Sequence, residues 1–277
     1  MTKPILRWAG SKRPILPLLQ AAMPNRFERY IEPFAGSAAL YLSLPPAPAI
    51  LGDLNKSLVD AYVSLRAFPR AVWREVSAMP TDLDFYYELR AVNERALTKR
   101  SRAARFFYLN RFCFNGVYRT NRSGNFNVPR GSGRLHIPSE EDFYAVASHL
   151  RHADLVHADF ETVLMRAGRG DFVYMDPPYS VTGKRDRGEY GCESFRDHDI
   201  DRFIAATLAA SRRGAKILIS YSRSAALQEI LSSRGWFVHD ICVHRNVAGF
   251  SGLRGKAEEL LASNYDWEAR SAGCKNA

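Results

Sequence analysis

The sequence has few cysteines and no long apolar run, and both absences narrow the possible classes of protein. Its four cysteines, Cys113, Cys192, Cys242 and Cys274, form no CxxC pair and have no histidine at a metal-binding spacing. A zinc knuckle and a dithiol redox site are therefore not indicated, and no metal is expected. No apolar stretch approaches the roughly 20 residues of a membrane-spanning helix, and the first residues lack the apolar core of a signal peptide. We expect a cytoplasmic protein that does not bind membranes.

Acidic residues are absent from one long segment, although the whole chain carries 29 of them. Between Arg95 and Ser139 there are ten Arg or Lys residues and no Asp or Glu. The other 29 basic residues balance the 29 acidic ones, so the net charge of +10 is carried by this segment. Aromatic residues such as Phe112, Phe114 and Tyr118 lie between the arginines. A localised basic field with interleaved aromatic rings favours a nucleic acid as partner.

Strand-like and helix-like stretches alternate along most of the chain. Runs rich in strand-forming residues occur at 29–34, 48–53, 153–160, 171–176, 216–222, 236–245 and 259–265, with helical spacing at 37–44, 55–66, 197–212 and 224–234. Such alternation predicts an α/β fold in which helices cover both faces of a parallel sheet.

The alternation breaks between residues 67 and 150. This part contains helix-like stretches at 69–78, 82–97, 99–111 and 139–150, and the segment "FNGVYRTNRSGNFNVPRG". The Asn-Arg-Ser-Gly at the centre of that segment is typical of a turn between two short strands, and it predicts a β-hairpin. The basic excess therefore lies in an insertion that is separate from the predicted sheet.

Several predicted strands end in an acid or in a glycine-containing turn, namely at "EPFAGSAAL", "LGDLN", "HADF" and "MDPPY". Ligands of open parallel sheets bind at the carboxyl ends of the strands. Gly36 would let the backbone pass close to a ligand, and Ser37 is suited to cap the next helix. Asp53 stands where an acid binds ribose hydroxyls. Because the glycine pattern is incomplete and GxxxxGK[ST] is missing, we expect a nucleoside cofactor without a pyrophosphate.

The four residues "DPPY" at 176–179 directly follow the apolar run "DFVYM". Proline has no backbone N–H and a fixed φ, so Pro177 and Pro178 make a rigid turn that offers carbonyl acceptors. With the Asp176 carboxylate, the turn is suited to accept the hydrogens of an –NH₂ group, and Tyr179 offers a flat face to the ring that carries it. Two such acceptors would free the nitrogen lone pair for in-line attack on a sulfonium methyl group.

Together these motifs resemble those of the Dam-type DNA adenine-N6 methyltransferases, the α-group of amino-methyltransferases. "RWAGSKR", "EPFAGSAAL", "GDLN", "ADF" and "DPPY" occur in the order of that family. The resemblance implies a class I S-adenosylmethionine-dependent methyltransferase fold, Rossmann-like, with a mostly parallel seven-stranded sheet. It also implies a catalytic domain at 1–66 and 151–270, an inserted target-recognition domain of helices and a β-hairpin at 67–150, and a frayed C-terminus at 271–277.

The resemblance assigns cofactor and catalytic roles to single residues. The residues that would contact S-adenosylmethionine are Trp8, Ala9, Gly10, Lys12, Phe34, Gly36, Ser37, Asp53, Asp159, Phe160 and Asp176. Asp53 would bind the ribose of the cofactor, and Asp159 and Phe160 its adenine. The catalytic motif would comprise Asp176, Pro177, Pro178 and Tyr179. One departure from the family pattern is Ala38, which stands where the loop often has a second glycine.

Double-stranded DNA is the partner that the resemblance implies, with its target adenine flipped out of the stack. The residues that would contact DNA are Arg7, Lys99, Arg102, Phe114, Asn115, Arg119, Arg122 and Asn125. Arg7 and Arg119 would read base edges, Phe114 and Asn115 would enter the duplex, and the others would hold phosphates or flanking bases. A monomeric enzyme encoded by a bacterium or a phage is expected, with S-adenosylhomocysteine as product.

Two alternatives remain open on the sequence. An RNA amino-methyltransferase would share the DPPY chemistry, although arginine readout of guanine by Arg119 and Arg122 needs a major groove that A-form RNA does not open. A non-catalytic DNA-binding relative would have no use for Asp176 and Lys12. GATC is the commonest target of the family, but the sequence by itself does not fix the target.

Overall fold

The computed structural model describes residues 1–121, 123–132, 136–178, 197–222, 224–245 and 255–267. Its strands are β1 (Arg29–Glu32), β2 (Ala49–Asp53), β3 (Ala153–His157), β4 (Asp171–Met175), β5 (Lys216–Ser222), β6 (Phe237–Arg245) and β7 (Gly255–Ser263). They form one seven-stranded sheet in the order β3-β2-β1-β4-β5-β7-β6. β1 to β5 pair in parallel, whereas β7 is antiparallel to β5 and β6. This mostly parallel seven-stranded sheet confirms the predicted α/β fold and is of the kind that the resemblance implies.

The helices of the described residues lie between these strands and in the insertion. They are α1 (Leu16–Ala22), α2 (Ala39–Ser43), α3 (Lys56–Ala67), α4 (Pro69–Ser77), α5 (Leu83–Ala91), α6 (Lys99–Phe112), α7 (Glu140–Leu150), α8 (Phe160–Leu164), α9 (Asp197–Arg212) and α10 (Ala225–Ser232). None of them is long and apolar enough to cross a membrane.

The helix expected at 82–97 is interrupted, and this expectation is corrected. α5 ends at Ala91, Val92 has an extended backbone, and a separate 3₁₀ turn follows at Glu94–Ala96. The side chain of Asn93 accepts a hydrogen bond from the backbone N–H of Arg95, which starts the new turn. An Asn that bonds to its own backbone favours a turn over a continued helix.

The two faces of the sheet bury different sets of side chains. Tyr30, Phe172 and Leu218 point to one face and share a hydrophobic core with α3, α6 and α7. Ile31 and Val173 point to the other face, which packs against α8, α9 and α10. Because the helices of the insertion share a core with the first face, they lie on one side of the sheet only. The division into a catalytic and a recognition domain stays a prediction.

The chain reverses direction where a β-hairpin was predicted, but the pairing is short. Two isolated antiparallel bridges join Cys113 to Arg130 and Thr120 to Phe126. Between them, the aromatic rings of Tyr118 and Phe126 pack on each other with centroids 5.5 Å apart. This packing adds to the backbone hydrogen bonds that join the two arms, from the N–H of Phe114 to the carbonyl of Pro129 and from the N–H of Asn127 to the carbonyl of Arg119.

Candidate active site

The carboxyl ends of the strands bring five polar side chains to one face of the sheet. Side chains alternate along a strand with a period of two, so the register between strands defines which of them share a face. The members of this face at the strand ends are Glu32, Asp53, Asp176, Ser220 and Glu259. This is also the face against which α3, α6 and α7 pack. The basic insertion and the acidic strand ends are therefore neighbours.

Gly36, in the loop after β1, is fixed from three sides. Its N–H donates to Oδ2 of Asp53 at 2.9 Å, and its carbonyl accepts from the hydroxyl of buried Tyr62 at 2.9 Å. Its φ is +46°, and a Cβ at this position would lie 2.7 Å from Cδ1 of Trp8. Glycine is needed here both for the left-handed backbone and for the close approach of the indole ring. The loop is thus rigid and closely attached to the N-terminal segment.

The prediction that Ser37 caps the following helix is wrong. The N-cap of α2 is Ala38, and it makes no side-chain capping bond. The hydroxyl of Ser37 instead lies 3.2 Å from that of Ser11, which links the loop to the N-terminal segment. Ala38 has φ 50° and ψ 38°, the left-handed region that favours glycine. A glycine would adopt this backbone conformation with less strain than Ala38 does.

Asp53 closes β2 and supports the Gly36 loop. Besides the bond from Gly36, its Oδ1 accepts the N–H of Asn55 at 2.8 Å. Burial raises the pKa of Asp53, and the two N–H donors oppose that rise. Because a carboxylate oxygen can accept more than one hydrogen bond, both oxygens retain acceptor capacity for hydroxyl groups. The geometry fits the ribose-binding role predicted for this residue.

Asp176 follows β4 directly and is held by two neighbours. Nζ of Lys12 lies 3.0 Å from its Oδ1, and the hydroxyl of Ser220 donates to the same oxygen at 3.2 Å. Tyr174 stabilises that serine, with 2.8 Å between the two hydroxyl oxygens. Among the described residues, every hydrogen bond and ion pair to Asp176 uses Oδ1. Oδ2 is therefore the oxygen that can accept a hydrogen from a substrate.

Burial and mutual repulsion raise the pKa values of the acids at this edge. Burial raises the pKa of Asp176, Lys12 opposes the rise, and the charge of Glu259 adds to it. Burial also raises the pKa of Glu32 well above its usual value. Tyr30 opposes that change, with its hydroxyl donating to Oε2 of Glu32 at 3.0 Å, while the charges of Asp176 and Asp53 add to it. The edge therefore gathers carboxyl groups in a poorly hydrated place, where their ionised forms are disfavoured.

The N-terminal segment connects the cofactor loop to the insertion. The indole of Trp8 contacts Gly36 and stacks on Tyr118, with centroids 6.2 Å apart and planes 19° apart. Ala9 and Gly10 form the turn after it, closed by a hydrogen bond from the N–H of Ser11 to the carbonyl of Trp8 at 3.2 Å. Trp8 thus touches both regions to which the sequence motifs assign function.

Arg7 is attached to α6 through its backbone. Its N–H donates to Oδ1 of Asn110 at 2.9 Å, and Nδ2 of Asn110 donates to its carbonyl at 2.6 Å. A Cβ on Gly116 would lie 2.4 Å from Cβ of Arg7, so the arginine lies against the start of the hairpin. The predicted base-reading role of Arg7 is consistent with this position and stays a prediction.

Asp159 and Phe160, the predicted contacts of the cofactor adenine, are both engaged by Arg202. Oδ1 of Asp159 accepts from Nη2 of Arg202 and from the N–H of Glu161, at 2.9 and 3.0 Å. The guanidinium lies over the Phe160 ring, 5.1 Å from its centroid. Phe34, predicted near the methionine end of the cofactor, stacks on Phe160 with centroids 5.5 Å apart. These aromatic residues therefore form one cluster beneath the strand ends.

The hairpin presents some of its predicted DNA contacts to solvent. Phe114 is 39% exposed and Asn115 has a left-handed backbone with φ 54°. Nε of Arg119 donates to Oδ1 of Asn127 at 2.9 Å, which fixes the orientation of the guanidinium. Asn125 is exposed at the turn, where its backbone N–H donates to the side chain of Asn121.

The remaining predicted residues lie on α6, beside Asp176 or outside the described residues. Lys99 is the exposed first residue of α6, and Arg102 is half-buried one turn later. Pro177 is buried and Pro178 half-buried beside Asp176. Tyr179 and Arg122 lie outside the described residues. The roles assigned to all of these residues stay predictions.

Sequence reasoning gave no role to Glu259, Ser220 or Arg202. A glutamate that begins the apolar run "ELLAS" could have indicated a residue with a special role, because a charge inside a buried strand needs a partner. The sequence around Ser220 gives no such indication, because a serine in a strand needs no charged partner. Arg202 contacts Asp159 only because α9 packs beside α8 in the folded chain.

Comparison with known proteins identifies the chain. Residues 8–244 match the family described as D12 class N6 adenine-specific DNA methyltransferase. The chain belongs to this family. It is an adenine-specific DNA methyltransferase, and membership implies S-adenosylmethionine as methyl donor and DNA as substrate.

Relatives of this methyltransferase span almost its full length. The chain is 29% identical over 273 residues to the type II methyltransferase M1.LlaDCHI of Lactococcus lactis subsp. cremoris, with 95% of each chain covered. It is 30% identical over 270 residues to the DNA adenine methylase of Salmonella typhi, with 93% of each covered. The DNA adenine methylase of Escherichia coli K12 is 29% identical over 267 residues, again with 93% of each covered.

Proposed function

We propose that this methyltransferase modifies the 6-amino group of an adenine that is flipped out of duplex DNA, within a specific sequence. GATC is the candidate sequence, because it is the commonest target of Dam-type enzymes. We further propose that the enzyme acts as a monomer in the cytoplasm and releases S-adenosylhomocysteine.

The described residues fit S-adenosylmethionine as methyl donor. Asp53 retains acceptor capacity for the hydroxyl groups of a ribose, because each of its oxygens accepts only one backbone N–H of the described residues. When bound, the cofactor supplies an electrophilic methyl group on a positively charged sulfur, which keeps the electrons of the broken carbon–sulfur bond. A cationic group bound at this edge would favour the ionised forms of Glu32 and Asp176, which burial disfavours in its absence.

Asp176 performs the central step of the proposed reaction. Its Oδ2 accepts one hydrogen of the adenine amino group, and a carbonyl of the Pro177-Pro178 turn accepts the other. The nitrogen lone pair then forms the new bond to the methyl carbon, and positive charge develops on the nitrogen. Asp176 stabilises this charge and receives the proton that leaves. Lys12 and Ser220 hold the carboxylate in place through its other oxygen.

Flipping of the target base is required because the amino group lies inside the duplex. Phe114 is exposed at the start of the hairpin and would fill the space that the adenine leaves. Arg119, oriented by Asn127, would contact a base edge in the major groove.

The observation that supports the whole proposal is the geometry of Asp176: its Oδ1 is already paired with Lys12 and Ser220, and its Oδ2 is available to a substrate.

Methyl transfer to defined duplexes tests the proposal. The purified protein is incubated with tritiated S-adenosylmethionine and with duplexes that contain GATC or a permuted site. We expect label in the GATC duplex, none in the permuted one, and none with Asp176→Ala although DNA binding is retained. Duplexes with 2-aminopurine at the target position should gain fluorescence on binding if the base is flipped.

Other outcomes would change the proposal. Transfer to structured RNA in preference to duplex DNA would favour an RNA amino-methyltransferase, and DNA binding without transfer would favour a non-catalytic relative. If a different sequence is labelled, only the GATC assignment fails. Sequencing the methylation pattern of DNA from cells that express the chain would then identify the target.

A further inference from the structure

Glu259 lies on β7 beside Asp176, and no motif of the sequence gives it a role. Its side chain is only 2% exposed, and its Oε2 lies 3.4 Å from Nζ of Lys12. The same ammonium lies 3.0 Å from Oδ1 of Asp176. A single buried ammonium therefore faces two carboxylates, one after β4 and one on β7, with only β5 between these strands.

The charges of these three groups do not cancel. With both carboxylates ionised, the cluster of Lys12, Asp176 and Glu259 carries one net negative charge. Burial strengthens the interactions between them, because the surrounding dielectric constant is lower than that of water. A simple Lys12–Asp176 pair would be neutral and would attract a developing positive charge less strongly. The second carboxylate restores that attraction.

We propose that Glu259 is a positioning residue for methyl transfer. It holds Lys12 between two carboxylates, so that Asp176 keeps the capacity to accept a hydrogen from the substrate amino group. This inference rests on the proposed function, in which Asp176 is that acceptor. The geometry also explains why an acid is retained in an otherwise apolar part of β7, where an unpaired charge would be costly.

Other charged or titratable groups also face Asp176. Glu32 lies on β1, and the charges of Asp176 and of Asp53, at the end of β2, both raise the pKa of Glu32. Tyr174 reaches Asp176 through Ser220. The charge of Glu259 raises the pKa of Asp176, whereas Lys12 lowers it. Removal of the charge on Glu259 should therefore lower the pKa of Asp176, with these other neighbours unchanged.

A titration of the cofactor-free protein measures this effect directly. The ¹³C signal of the Asp176 carboxylate, assigned with Asp176→Asn, is followed against pH in the wild type and in Glu259→Gln. We expect the midpoint to move to lower pH in Glu259→Gln, because a neutral amide no longer disfavours the second negative charge. Glu258→Gln is the matched control: it removes the same charge from an exposed neighbour on the opposite face of β7.

Kinetics test whether the effect matters for methyl transfer. We expect kcat of Glu259→Gln to fall by roughly 10- to 100-fold. Losses of this size are typical when a neighbour that orients a functional side chain is removed. KM for S-adenosylmethionine and for DNA should stay nearly constant, and the acid limb of the pH profile should move to lower pH. Glu259→Asp keeps the charge and should return the limb toward that of the wild type, even if Glu259→Gln folds poorly.

The opposite results would overturn the inference. An unchanged titration of Asp176 in Glu259→Gln, or a loss of kcat without any shift of the acid limb, would leave Glu259 with a purely structural role. Equal effects of Glu258→Gln would point to the overall charge of the protein. Failure of the wild type to methylate DNA would refute the proposed function instead, and the titration would still report on the coupling of Glu259 and Asp176.

Discussion

The strand-end site and the hairpin of the insertion are stabilised in different ways. At the site, the Gly36 loop is held by Trp8, Asp53 and Tyr62, and Asp176 is held by buried partners. In the hairpin, two isolated bridges, a few backbone hydrogen bonds and aromatic contacts hold a chain whose turn is exposed. One region is buried and closely packed, whereas the other has a turn that is exposed and held by local hydrogen bonds around Asn121.

This difference fits the work proposed for each region. Stabilising charge in a transition state requires acceptors that are already oriented, since reorientation during the reaction would cost free energy. In the proposed function, the hairpin would instead have to adapt to the shape of the duplex and enter it beside a flipped base. Changes at the strand-end site should therefore affect catalysis strongly, and changes in the hairpin should affect sequence preference.

The largest effect is expected for Gly36→Ala. The new methyl group would clash with the Trp8 ring, and φ +46° would strain any other residue. We expect the free energy of unfolding to fall by about 2–4 kcal/mol and KM for S-adenosylmethionine to rise. Chemical denaturation and steady-state kinetics measure the two quantities.

Gly124→Ala is the matched control for that change. Gly124 has φ +80°, but a Cβ there would meet no atom within 4 Å. Strain alone should lower the free energy of unfolding by about 1 kcal/mol, without any change in KM. Equal losses in the two variants would show that the Trp8 contact does not fix the loop.

The second prediction concerns Arg119, the oriented arginine of the hairpin. Arg119→Ala should reduce discrimination at one base pair by about 1–3 kcal/mol while kcat on the best duplex changes little. Competition between duplexes that differ at single positions measures this preference. Arg234→Ala, an exposed arginine after α10, serves as control. An unaltered preference in Arg119→Ala would contradict base readout by this residue.

A smaller effect is expected for Lys99, at the start of α6. Lys99→Ala should weaken binding to all duplexes alike and reduce the slope of log K against log salt by about 1, as expected for one lost phosphate contact. Fluorescence anisotropy at several salt concentrations measures the slope. A loss confined to a single sequence would argue for a base contact instead.

The smallest effect is expected for Ala38→Gly. Glycine relieves the left-handed backbone at this position but removes a buried methyl group. These contributions are each about 1 kcal/mol and have opposite signs, so the free energy of unfolding should change by less than about 1 kcal/mol. KM for S-adenosylmethionine should stay the same, and a large increase would mean that the methyl group itself shapes the cofactor site.

Much of the fold was predictable because it depends on local patterns. The central strand "DFVYM" is apolar at nearly every position, as expected for a strand that is buried on both faces, and all five of its residues are buried. Helix starts such as Asn55 and Ser139 carry capping side chains that can be recognised in the sequence. The capping role of Ser37 was wrong because the loop bends through Ala38 before the helix begins.

The sequence by itself determined the α/β alternation, the insertion with its excess of positive charge, and the motifs that end in Asp53 and Asp176. Only the tertiary structure decided that Glu259 shares Lys12 with Asp176 and that Arg202 engages Asp159. The physical reason is the sequence separation of the residues that interact. Propensity and periodicity act between residues a few positions apart, whereas Lys12 and Glu259 meet only after strand register and sheet order have been set.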